Sequence, residues 1–239
     1  MKSLKNKIYH LLPGSIREVV RKRQSIATYN PEQWKSPEFV SSIGALDYYK
    51  CIFVHIPKNA GLSVCYTLFG NTGGSHRKLQ HYQDIFPKTT FERYFKFAFV
   101  RNPWDRLVST YFFLKEGGIT KKDALWARQH LGKFNDFESF VKGWLTEENI
   151  SRSLHFQHQH VFLTKKNGQP GMDFIGRLEN IDEDFSTIAK RLGIERTLRK
   201  RNTSSRKKDY HSYYTQETKA IVAQIYAKDI SMFNYTFES

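Results

Sequence analysis

The chain has 239 residues and 38 Lys+Arg against 23 Asp+Glu, a formal charge of +15. That length accommodates one sizeable domain with its own core, and 39% hydrophobic with 15% aromatic content excludes a disordered chain. Two cysteines, Cys51 and Cys65, cannot staple a disulfide scaffold, and no apolar run approaches the roughly 18 residues of a membrane span, so the expectation is a soluble, basic protein, most simply cytoplasmic.

The charge is concentrated. Residues 1–23 carry seven basic residues against Glu18, and residues 190–208 carry nine against Glu195; together they supply +14 of the +15. Local basic segments point to anionic partners: phosphate-rich ligands, nucleic acid or an acidic membrane surface. Clustered lysines also aid solubility alone.

In chain order, residues 1–50 read as a basic peripheral arm. Ile8, Leu11 and Leu12, then Ile16, Val19 and Val20, offer an apolar face broken by Pro13-Gly14. Such a segment can lie peripherally on the inner face of a membrane or pack against the domain. Residues 51–239 form the domain proper. Cys51 to Ile56 is a short apolar run that predicts a buried strand, followed by a turn at Pro57–Gly61 and a helix over Ser63–Phe69. The pattern repeats at Phe95–Val100, where Asn102 suits an N-cap and Pro103 the first helical position. Further helices are expected over Asp123–His130, Phe137–Leu145 and Ile181–Leu192, with a last one capped by Thr215. Two strand–turn–helix units predict an α/β fold with a parallel sheet.

Both turns carry anion chemistry. In Pro57-Lys58-Asn59-Ala60-Gly61-Leu62-Ser63, backbone N–H groups and a helix N-terminus form a cradle at the carboxyl end of a strand, where open sheets bind ligands. Gly61 allows close approach, Ser63 adds a hydroxyl and Lys58 a charge. Nucleotide triphosphatases place the lysine directly after the last glycine, unlike this turn. The second turn sets Arg101 at a strand end and Ser109 about two helical turns on, a guanidinium fork and a hydroxyl suited to one phosphate. Arg106 is expected to pair with Asp105 or another surface acid.

These segments, Pro57–Ser63 and Phe97–Ser109 in order, resemble the carbohydrate sulfotransferases, which use 3′-phosphoadenosine 5′-phosphosulfate (PAPS) as donor and release 3′-phosphoadenosine 5′-phosphate (PAP). Supporting similarity extends to Gly176-Arg177-Leu178-Glu179-Asn180 and to the Asn202–Tyr210 turn. The resemblance implies a P-loop-like three-layer fold with a central, mainly parallel sheet flanked by helices. It implies that Lys58 stabilises the leaving nucleotide oxygen, and that Asn59, Ala60, Gly61, Leu62 and Ser63 hold the 5′-phosphosulfate. It further implies that Arg101 and Ser109 bind the 3′-phosphate, and that Arg201, Asn202, Ser204 and Arg206 belong to a loop closing over the nucleotide. No metal and no nucleic acid is expected; the acceptor would be a carbohydrate or glycolipid hydroxyl.

In-line transfer needs a base for that hydroxyl. His76 stands in the matching region of the family, in a loop after Gly73-Gly74-Ser75, and His81, a glutamate or another group are the alternatives. His155-Phe156-Gln157-His158-Gln159-His160 can supply acceptor contacts, packing or, less readily, a zinc site. His55 reads as a satisfied buried histidine. Trp104, Trp126 and Trp144 read as packing residues, with sugar stacking the alternative. Two competing functions are a phosphotransferase or kinase-like P-loop enzyme and a basic nucleic-acid-binding module. The lysine placement and the lack of an acidic metal partner oppose the first, and basic surplus that avoids the aromatic-rich middle opposes the second.

Overall fold

The computed structural model describes residues 42–70, 76–199 and 209–239. Helix α1 (Ser42–Tyr48) leads into strand β1 (Cys51–Val54), helix α2 (Gly61–Phe69), α3 (Leu79–Ile85) and α4 (Lys88–Arg93). Strand β2 (Phe95–Val100) precedes the long helix α5 (Pro103–Lys115), then α6 (Lys121–His130), α7 (Phe137–Trp144), α8 (Glu147–Arg152) and the short α9 (His160–Leu163). Strand β3 (Phe174–Arg177) is followed by α10 (Ile181–Arg191), α11 (Gln216–Ile225) and α12 (Ala227–Met232).

The three strands form one parallel sheet in the order β1-β2-β3, with Phe53 opposite Phe97 and Phe97 opposite Phe174. Every residue of β1 and Phe97–Val100 of β2 is buried, as a parallel sheet covered by helices demands. Helices flank it, and the expected α/β architecture is the one observed. Expected helix positions agree within two residues: α2, α6, α7 and α10 begin or end there, and Thr215 caps α11 by accepting from Thr218 N.

Residues 42–50, in the expected arm, are part of this fold: Ile43, Ala45 and Leu46 are buried against the sheet. Residues 1–41 lie outside the described residues. The core has two lobes. One surrounds the sheet through Ile52, Leu68, Phe99 and Phe185; the other lies beyond α5 and packs Tyr111, Phe140, Trp144, Phe156 and Tyr226. Trp104, Trp126 and Trp144 all take part in this second lobe, so packing accounts for them. Cys51 and Cys65 are buried, unbridged thiols, and burial pushes their pKa values well up.

The architecture places the ends of two adjacent strands side by side. Among the described residues no helix is long and apolar enough to cross a membrane.

Candidate active site

The first turn, between β1 and α2, is held in an uncommon backbone state. Lys58 has φ +70° and Ala60 φ +56°, both left-handed, with Asn59 between them. Each such L-residue costs on the order of 1–2 kcal/mol. Backbone alternating in this way can aim successive N–H groups at one point, the geometry of an anion nest, and here it stands at the N-terminus of α2. Three side chains offset the strain. Asn59 Nδ2 donates to Phe99 O at 2.7 Å, Arg101 Nη1 to Lys58 O at 3.0 Å and Arg106 Nε to Pro57 O at 3.2 Å. Ser63 is buried in the first turn of α2.

Gly61 has a steric duty besides. A Cβ there would lie 1.8 Å from His55 Cδ2, so the His55 ring occupies the space a side chain needs.

The second turn begins where β2 ends. Asn102 caps α5, its Oδ1 accepting from Trp104 N at 3.0 Å, with Pro103 at the first helical position. The turn is buttressed by the supporting motifs. Asn102 N donates to Glu179 Oε1 at 2.7 Å, and Asn102 Nδ2 to Tyr210 Oη at 3.1 Å. The expected pairing of Asp105 is corrected. Arg101, not Arg106, holds it, with Nε and Nη2 at 2.8 and 2.7 Å from Asp105 Oδ2. Arg106 is 2% exposed rather than superficial, and its guanidinium spans Pro57 O and His155 O. A buried cation can stay there because its donors are satisfied by carbonyls. Ser109 is buried on the same helix.

Gln159 joins the two turns. Its Oε1 accepts from Asn59 Nδ2 at 2.7 Å and from Arg101 N at 3.0 Å, while Nε2 donates to Arg101 O at 2.8 Å. Gln159 N in turn donates to Asp229 Oδ2 at 2.6 Å. Asp229 is fully buried and also accepts from His160 N and His160 Nδ1 at 2.9 and 2.6 Å. His158, His160 and Asp229 are close enough to share a metal ion. The hydrogen bonds already spent on Asp229 make this group a clamp on α12 that seats Gln159. Nothing in the sequence distinguished Gln159 from its neighbours.

Above the first turn lies a histidine cluster. His55 and His76 have ring centroids 4.2 Å apart, and His155 is 6.1 Å from His76. Among the described residues the buried Nδ1 of His55 has no hydrogen-bond partner, which corrects the expectation of a satisfied histidine. Burial, with His76 adding to it, pushes its pKa down to about 3. His76 Nδ1 lies 2.9 Å from His55 O. A carbonyl only accepts, so Nδ1 carries the proton and Nε2 presents a lone pair. Burial lowers the pKa of His76, against the backbone bond from His55, so the ring is neutral at pH 7. Lys58 Nζ sits 3.8 Å from the centre of the Phe113 ring. His81 lies on α3, and among the described residues the ring contacts joining His55, His76 and His155 do not include it. Arg201, Asn202, Ser204 and Arg206, like Gly73–Ser75, lie outside the described residues.

The structure thus brings Lys58, His76 and Arg101 around two linked turns at the carboxyl end of a parallel sheet. Open α/β sheets bind their ligands at this end. The chain belongs to the sulfotransferase family, whose profile matches residues 45–236. It is 26% identical over 167 residues to the protein named carbohydrate sulfotransferase 11 of Rattus norvegicus, and equally to that of Mus musculus, covering 60% of this chain and 47% of each relative. It is 31% identical over 112 residues to an uncharacterized protein of Archaeoglobus fulgidus, covering 46% of this chain and 78% of that one. The chain spans about half the length of the carbohydrate sulfotransferases it matches. No solved structure matches it.

Proposed function

We propose that this chain moves the sulfuryl group of PAPS to a hydroxyl of a carbohydrate or glycolipid and releases PAP. One observation carries the reading. Arg101, at the head of the second turn, donates to the carbonyl of Lys58 in the first, so two anion-binding turns form one surface. PAPS is a ligand with two separated anionic ends, and family membership supports sulfuryl transfer as the chemistry.

The left-handed cradle of residues 58–60 and the start of α2 fit the 5′-phosphosulfate, and Ser63 adds its hydroxyl. Arg101 and Ser109 take the 3′-phosphate, and Arg101 shares its fork between that phosphate and Asp105. The acceptor oxygen attacks sulfur in line and forms the new S–O bond. Its proton passes to His76 Nε2. The bridging S–O bond breaks, and its electron pair remains on the 5′-phosphate oxygen of PAP. Lys58 swings from the Phe113 face to stabilise that oxygen, leaving a cation–π contact worth roughly 0.5–2 kcal/mol. The basic 1–23 segment serves to bring the enzyme to an anionic membrane where a lipid-linked acceptor resides.

The test is transfer of label from [35S]PAPS to a panel of unsulfated glycans and glycolipids. Label in an acceptor ester, with one PAP formed per sulfate, is the expected result. Turnover of ATP–Mg²⁺ with PAPS untouched would sink the reading.

A further inference from the structure

Lys58, Phe113, His76 and His155 form one continuous group of contacts, and the proposed transfer step leaves His155 without a part. Its backbone is fixed: His155 O accepts from Arg106 Nη2 at 3.1 Å and faces Thr110 Oγ1 at 3.5 Å. Its ring lies 5.4 Å from the Phe113 ring, the same ring that holds the Lys58 ammonium. Among the described residues its two ring nitrogens make no hydrogen bond, and the residue is half-buried. Nitrogens so placed can take a partner from a bound molecule.

The separation from His76 suggests what that partner is. With centroids 6.1 Å apart and planes at 71°, the rings are too far apart to bond each other and close enough to share one atom. An oxygen held at roughly 2.8–3.0 Å from a nitrogen of each ring needs a gap of this order. A hydroxyl has the required valences. Its hydrogen points to the lone pair of His76 Nε2, one of its lone pairs to sulfur, and the other accepts from an imidazole N–H.

We propose that His155 is a second catalytic residue, which grips the acceptor hydroxyl opposite His76 and aims its attacking lone pair at sulfur. This rests on the sulfuryl-transfer reading above. His155 stays neutral in this role: burial, with Lys58, Arg106 and His76 acting the same way and Asp123 opposing, brings its pKa down to about 4. A neutral ring has one N–H to give. The proton that leaves the acceptor goes to His76, and His155 keeps its own. Misplacing a nucleophile by an ångström costs about 100-fold in rate.

The experiment uses the full chain, [35S]PAPS in single turnover with water or a glycan that accepts label in the panel as nucleophile, and thermal shift with PAP. His155→Ala should lose about 10- to 100-fold in sulfate transfer, to either nucleophile, with the PAP shift unchanged. His155→Asn, which keeps an N–H donor, should recover part of the loss. Transfer within threefold of wild type in His155→Ala, or equal loss of transfer and PAP shift, overturns the inference and leaves the main reading standing. Wild-type protein that neither responds to PAP nor releases sulfate overturns both. A crystal structure with PAP gives a check independent of turnover. It should show a water oxygen within hydrogen-bond distance of both rings, and rings turned apart would contradict the shared grip.

Discussion

His55 and Gly61 are a pair that neither residue announces alone. The imidazole fills the volume of a missing Cβ, with 1.8 Å to its Cδ2, so Gly61→Ala must displace the ring or the turn. Overpacking of this kind costs about 1–3 kcal/mol or more. Urea denaturation should show that loss, and the double variant His55→Ala/Gly61→Ala should lose less than the sum of the two single variants. The same buried ring sets an acid limit. Its pKa is 6.5 in the unfolded chain and about 3 in the fold, so between those values the unfolded state binds more protons. The stability from its neutral form is complete above pH 6.5 and is lost as pH falls toward 3, at up to about 1.4 kcal/mol per pH unit. Urea midpoints measured from pH 8 to 4 should fall below pH 6.5 and flatten in His55→Phe; a flat wild-type profile would contradict this. Gly61 was legible in the sequence as a turn glycine, because its spacing from Lys58 and Ser63 marks the turn. Its second reason was not, since the ring that needs the space belongs to the strand exit. Arg106 was misplaced for a related reason: sequence adjacency to Asp105 suggested an ion pair, whereas the helix turns Arg106 inward and leaves Asp105 to Arg101, four residues earlier.

At the scale of elements, the two turns are useful only if their spacing is fixed, and Gln159 fixes it. Its amide makes one bond to the first turn and two to the second, and Asp229 on α12 holds its backbone. Gln159→Ala strands the buried N–H and C=O of Arg101, each worth about 1–3 kcal/mol when unsatisfied. The expected result is a stability loss of that order with weakened PAP binding. Gln159→Glu should be at least as damaging, because a carboxylate cannot donate to Arg101 O. Wild-type-like PAP affinity in both variants would show that Gln159 does not set the spacing. Strands β1 and β2 and helix α5 were legible because apolar runs end in turn residues with a cap. Strand β3 was not: Phe174-Ile175-Gly176-Arg177 is four residues long, and only Gly176 is buried. It is a strand because β2 offers a parallel edge, and Gly176 is small because the Phe99 ring lies 2.7 Å from where its Cβ would be. The histidine-rich stretch drew attention to its histidines, while the glutamine between two of them carries the link between the turns.

Across the whole molecule the charge divides by task. The cations proposed to meet the two ends of the donor, Lys58 and Arg101, are few and sit on the two linked turns. Much of the net surplus lies elsewhere. A cavity of about 950 Å³ at the far end of α2 is bordered by Lys190, Arg196 and Arg199 from the second basic segment. Arg196 Nη1 donates to Thr67 O at 3.0 Å and Arg199 N to Thr67 Oγ1 at 3.1 Å, which fixes the chain as it approaches residue 200. Such a surplus should speed association of a multiply charged donor and lose its effect in salt, so the PAP on-rate should fall between 50 and 500 mM NaCl more than the off-rate rises. Calorimetric titration of the full chain with PAP, 5′-AMP and ATP–Mg²⁺ tests the central claim most directly. If two linked turns hold a donor by both anionic ends, PAP binds at least about 10-fold tighter than 5′-AMP, equivalent to about 1.4 kcal/mol, and Arg101→Ala removes the difference. PAP binding no tighter than 5′-AMP, or ATP–Mg²⁺ bound in preference to both, would contradict it.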